Sequence, residues 1–130
     1  MFETRLRAAL VDWLRADAFL SSTLNSITEE APSRIAVPWL GIVASASADW
    51  SVKDKKGREI RIAIELHMRG DAPDTGASLV PQIESRVESL PAVQDGFRIV
   101  NTTFLRARAE QRALNQRAVL LEYRFRLLED

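Results

Sequence analysis

The sequence predicts a two-layer α+β domain: a mostly antiparallel, four-stranded sheet with two main helices packed on one face, in the order α-β-β-α-β-β. Three observations predict it. Phe2, Leu6, Leu10 and Leu14 recur every four residues near the start, which is a helical stripe. Ile60, Ile62, Ile64, Leu66 and Met68 alternate with polar or small residues, which is a half-buried strand. Val119, Leu121, Tyr123, Phe125 and Leu127 alternate in the same way near the end. Alternation with one polar face belongs to an antiparallel sheet, since parallel sheets are apolar on both sides.

The first helix covers residues 2–16. Ala9 and Trp13 widen its apolar stripe, and Glu3, Arg5, Arg7, Asp12 and Arg15 fill the polar side. These charges also rule the segment out as a secretory signal or membrane span. Residues 17–36 are less regular; Phe19, Leu20, Leu24 and Ile27 either extend the helical region or cover a sheet edge. Pro32 and Pro38 bracket a connection. A strand follows over 39–48, with Gly41 marking a bulge or a close approach. Lys55-Lys56-Gly57 reads as a loop tip in which Gly57 supplies a positive φ. The strand over 58–69 then forms a hairpin with 39–48.

Residues 70–74 (Gly-Asp-Ala-Pro-Asp) break the chain. A second helix spans about 75–90, with Leu79, Ile83, Val87 and Leu90 on one side. Pro81 leaves its start open: capped at Ser78, the proline sits harmlessly in the first turn; capped at Asp74 or Thr75, it sits in the interior. Leu90-Pro91 ends the helix. After Asp95-Gly96 comes a long strand, 97–110, whose alternation is poor at first and returns at Arg106 and Arg108. Residues 110–116 are a link of undetermined type. The last strand, 117–128, is long enough to lie in the sheet centre or to reach a neighbour.

Composition narrows the function. The 130 residues suit one domain spanning 1–130, and 46% apolar residues supply one core. Eighteen basic residues balance eighteen acidic ones, against the basic excess of most nucleic-acid binders. The absence of Cys excludes disulfides, thiolate metal sites and a Cys nucleophile. The single His67 is predicted on the polar face of its strand between Glu65 and Arg69, as a surface or interface residue. Phosphate-loop, dinucleotide-binding and nucleophile-elbow motifs are missing. The expectation is a protein made in the cytoplasm that is not an enzyme and uses no cofactor or metal. Lys53, Lys55, Lys56 and Arg58 form a basic loop, so a small nucleic-acid-binding accessory protein stays open as an alternative.

Several stretches carry a resemblance. LRAALVDWLRADAFL, VPWLGIVASASADWSVKDKKGREIRIAIELHMR, the helix Gly76–Leu90, DGFRIVNTTFLRARAE and VLLEYRFRLLE resemble the tail-completion, or tail-terminator, proteins of long-tailed phages, prophages and gene transfer agents. The resemblance implies a structural role in the virion or phage-like particle, at the head-proximal end of the tail. There a hexameric ring of such subunits stops tube polymerisation and offers a joining surface to the head. The implied partners are other copies of the chain, the major tail tube protein and a head-completion or connector protein, with DNA only as passing cargo and no membrane. It also implies that the 51–58 loop and the 106–117 connection lie near ring or tube contacts. The candidate contacts are Lys53, Lys55, Lys56, Arg58, Glu65, His67, Arg106, Arg108, Arg112, Arg117, Arg124 and Arg126. Another head–tail connector or adaptor is the alternative within the same class.

Overall fold

A computed structural model describes residues 2–71 and 73–130. The elements are α1 (Phe2–Arg15), α2 (Ala18–Thr23), β1 (Ile27–Thr28), β2 (Trp39–Asp49), β3 (Gly57–Arg69), α3 (Pro73–Glu88), β4 (Phe97–Arg112) and β5 (Gln116–Glu129). The α+β class and the two hairpins agree with the sequence reading. The sheet, however, has five strands, in the order β1-β2-β3-β5-β4, and a third helix is present. The additions come from the irregular 17–36 segment. Asp17 caps α2 by accepting from the Leu20 N–H at 2.9 Å, and the two-residue β1 runs parallel to Leu40 and Gly41 of β2. Neither is long enough to show a period in sequence. They still bury Leu20, Leu24 and Ile27, so the segment covers the edge of the sheet at the start of β2.

The apolar face of the sheet carries the core. Ile60, Ile62, Ile64 and Leu66 of β3 and Leu121, Tyr123, Phe125 and Leu127 of β5 are each 1% exposed or less. Leu6, Leu10 and Leu14 of α1 and Leu79, Ile83 and Val87 of α3 close over them. Each such side chain contributes about 1.5–3 kcal/mol by leaving water. Gly76 lets α3 approach β3 closely, because a Cβ there would lie 2.7 Å from the Met68 methyl carbon. The two helices are tied across their tops: Trp13 Nε1 donates to the Arg86 carbonyl at 2.9 Å, and the Arg86 guanidinium lies 3.6 Å from the Trp13 ring centre.

Several local expectations change. α3 opens at Pro73, so Pro81 lies in the helix interior. The carbonyl of Ala77 loses its helical donor, but both residues are on the exposed side, where the carbonyl is open to solvent. The predicted break at 70–74 is correspondingly shorter; Ala72 within it lies outside the described residues. Gly57 does not take a positive φ. It begins β3, where a Cβ would fall 2.5 Å from the Trp50 carbonyl oxygen, so the glycine serves a close approach of backbones. The link expected at 110–116 is mostly strand: β4 runs to Arg112 and β5 starts at Gln116, leaving a hairpin tip at 113–115 with Leu114 (φ 60°) and Asn115 (φ 55°) both left-handed. The poor alternation of β4 has a cause: register shifts between Ile99 and Asn101 and between Phe104 and Arg106 each reverse which residues face the core. A similar shift between Ile42 and Ala44 breaks the alternation of β2.

Candidate interaction surface

The helices leave the opposite face of the sheet bare. The register brings Glu59, Arg61, Ala63, Glu65 and His67 of β3 onto it, with Arg124, Glu122 and Leu120 of β5 beside them. Arg106, Arg108, Glu110 and Arg112 of β4 extend the same face, and Ala44, Ala46 and Ala48 of β2 finish it with small side chains.

Two ion-pair clusters organise this surface. In the first, Glu59 accepts from Arg126 at 3.0 Å and lies 3.6 Å from the Arg124 Nε. Arg126 also lies over the Trp50 ring, 5.5 Å from its centre. In the second, Arg112 joins Glu110 at 2.6 Å and Glu65 at 3.3 Å, while Arg108 reaches the other oxygen of Glu110 at 3.0 Å. Arg112, and Arg108 behind it, hold the Glu110 carboxyl below the usual carboxylate range; Glu110 and then Glu65 push Arg112 up. Between the clusters, Arg106 meets Glu122 at 3.4 Å. Glu59 and Glu65 are six residues apart on one strand, so the clusters are separated by about 20 Å at the rise of an extended chain.

His67 belongs to the second cluster. Its Nε2 lies 2.5 Å from Glu65 Oε1, and its ring stacks on Trp39 with centroids 4.0 Å apart and planes 9° from parallel. Trp39 is a participant that sequence reasoning missed. The signal was there in the hairpin, because pairing 39–48 with 58–69 sets Trp39 opposite His67.

The candidate contacts therefore fall into three places. Glu65, His67, Arg106, Arg108, Arg112, Arg124 and Arg126 share the bare face. Lys53, Lys55 and Lys56 lie apart from them at the β2–β3 turn, with the Lys56 N–H donating to Glu129, and Arg58, at the start of β3, meets Glu3 of α1 at 3.8 Å; all four are exposed. Arg117 is set apart again: opposite Met68 and Gln111, it takes the helix-side orientation at the far end of β5. The β4–β5 tip, with Leu114 90% exposed, stands at the end of the sheet opposite to the lysine turn.

The largest clefts are shallow and border the N-terminal turn of α1 or the edge of β2; the cleft in the second cluster holds about 100 Å³ between Glu65, Arg108 and Arg112. Among the described residues, no three His, Asp or Glu side chains converge to hold a metal, and no helix is long and apolar enough to cross a membrane. Arg–Glu pairs on open strands give register and specificity more than stability.

No curated protein matches the chain in sequence. A chain in the solved structure of the virion of a native gene transfer agent (GTA) particle has the same fold. It superposes with a TM-score of 0.75 at 24% identity, covering 98% of this chain and 97% of that one. Residues 8–128 match the family described as Tail completion protein gp17. That match spans the second half of α1, all of α3, both hairpins and the bare face, and the chain belongs to this family of structural phage tail proteins.

Proposed function

We propose that the protein is a tail terminator: copies of it form a hexameric ring on the head-proximal end of the tail tube, stop its polymerisation and present a joining surface to the head. Membership of the tail completion family over residues 8–128 carries this reading. The fold shared with a chain of a gene transfer agent virion supports it, as does a sheet face left uncovered by the helices and lined with Arg–Glu pairs. The protein then acts in the virion or phage-like particle, with the major tail tube protein and a head-completion or connector protein as partners. The mechanism is steric. A closed ring on the growing end leaves no free site for the next tube subunit, and DNA passes through as cargo.

The placement of the candidate contacts suits a two-sided joint. The lysine turn at 53–56 and the hairpin tip near Leu114 lie at opposite ends of the sheet, so a subunit can meet the tube with one end and the head with the other. Solution mass measurement and negative-stain imaging, alone and with tail tubes, test the proposal. Rings seated on one end of each tube are expected; a monomer that never associates with tubes contradicts it.

A second reading, an accessory protein that contacts nucleic acid, has one observation in its favour. On the bare face Arg61, Arg106, Arg108, Arg112, Arg124 and Arg126 outnumber Glu59, Glu65, Glu110 and Glu122. Binding to mixed-sequence DNA that weakens steeply with salt would favour it.

A further inference from the structure

Both edges of the sheet are open over part of their length. β1 covers β2 only at Leu40 and Gly41, so among the described residues no strand pairs with β2 from Ile42 to Asp49 on that side. At the other edge, the 92–94 segment bonds to β4 at Phe97 and Ile99, and among the described residues no strand pairs with the outer side of β4 from Val100 to Arg112. Exposed backbone donors and acceptors of this length are a template for another strand. Apolar side chains accompany them: Val100 and Phe104 on β4 and Val43 on β2 are 47%, 42% and 39% exposed.

We propose that the ring closes by sheet continuation, the free edge of β4 in one copy pairing with the free edge of β2 in the next. This rests on the terminator reading and names the contact that makes the ring. Three features single out a second copy of this chain as the occupant. First, β2 is antiparallel to β3, β3 to β5 and β5 to β4, so β2 and β4 run in opposite directions. Two copies in the same orientation thus meet as an antiparallel pair. Second, the registers are level. Ala46 lies in line with Arg61, Arg124 and Thr103, and Ala44 with Ala63, Glu122 and Arg106. A neighbour set level would therefore place Thr103 beside Ala46, and would lay the long Arg106 side chain beside Ala44. Third, the charges differ between the edges. On the bare face, Arg106 and Arg108 line the β4 side, while β2 presents only Ala44, Ala46 and Ala48; the nearest acid to that edge, Glu29, is already paired with Arg7 on the helix side at 3.6 Å. Pairing β4 with β4 would set arginine against arginine, which is unfavourable directly across a ladder. Pairing β4 with β2 avoids this, because the small Ala44 and Ala46 leave room for the arginines. A contact between two different surfaces is heterologous, and such contacts close into rings where the same contact between identical surfaces stops at a dimer.

The chain lacks cysteine, so introduced thiols report the contact cleanly. Ala46→Cys and Thr103→Cys are made separately and together, with folding of each variant checked by its melting curve. Under mild oxidation in assembled rings, the mixed single variants are expected to give covalent dimers, each single variant alone none, and the double variant a ladder that ends at the closed ring. Ala44→Arg with Ala46→Arg should abolish rings at an almost unchanged melting temperature, and Arg106→Glu with Arg108→Glu in a mixed partner should restore them. Rings that form without the cross-link, or that survive the paired arginine substitutions on β2, overturn the edge pairing and leave the terminator reading standing. Cross-linked rings that never arrest tail tubes overturn the terminator reading and leave the edge pairing standing.

Discussion

The two faces of the sheet are built from alternate residues of the same strands, yet they do different work. The helix-covered face holds Ile62, Leu121 and Phe125 at full burial, and its cost of disturbance is that of a close-packed core. The bare face holds Arg–Glu pairs whose energies are small because water reaches them; the Arg106 and Arg108 side chains keep 60% and 65% of their exposure. A one-residue step along a strand therefore moves from stability to recognition. A domain that needed only to fold could have left the second face with simpler polar residues.

Phe125→Ala is the largest expected break in this contrast. It should cost about 3–5 kcal/mol, read from denaturant unfolding, because it opens a cavity under both helices. Arg108→Ala, in line with the Leu120 next to that core row, should change stability by about 0.5 kcal/mol or less in the same measurement. A comparable loss at both positions would remove the distinction between the faces.

Leu114→Gly sharpens the contrast from the bare end. Leu114 holds φ at 60° with nearly all its surface in water, an arrangement that costs a leucine about 1–2 kcal/mol. Glycine should raise the melting temperature while weakening any tube or head contact made by the hairpin tip. A gain in stability with undiminished tube binding would show that the tip is not used.

Asp17→Ala tests the short cover over the sheet edge. Asp17 Oδ1 accepts from the Leu20 N–H and Oδ2 accepts from Gln82 at 2.7 Å, linking α2 to α3. Its removal should cost about 1 kcal/mol in thermal or denaturant melts. The Leu20 backbone bond is the chief cause holding its carboxyl below the ordinary 3.8, with Gln82 and Arg86 assisting. A lowered folded value means the contribution is complete above 3.8 and is lost as pH falls through the folded value. The gap between wild type and Asp17→Ala should thus close in acid.

A small effect is also expected at Tyr123. Burial, with Glu88 and Glu84 nearby, pushes its phenol up, and its hydroxyl meets no hydrogen-bond partner in good geometry. Tyr123→Phe should leave stability within about 1 kcal/mol, since a buried hydroxyl without a partner gives little when kept.

How much of this was legible depended on period. α1, β3 and β5 keep one period from end to end, and their faces were readable residue by residue, including the exposed side of Glu65, Arg124 and Arg126. β2 and β4 contain register shifts, so period two fails within each strand and the facing of Ala46 or Arg106 emerges only from pairing. α2 and β1 are six and two residues long, below the length at which a stripe or alternation appears. The turn at 113–115 carries no glycine, and a leucine in the left-handed region gives no warning in sequence. Arg117 was grouped with its fellow arginines by charge alone, although its odd position sets it with Val119 and Leu121.

The most direct test is tube growth. Major tail tube protein is allowed to polymerise while this protein is titrated in, and tube lengths are measured by electron microscopy. The account predicts that growth halts from the end bearing a ring, at a ratio of one ring per tube. Tubes that lengthen equally with and without the protein would contradict it.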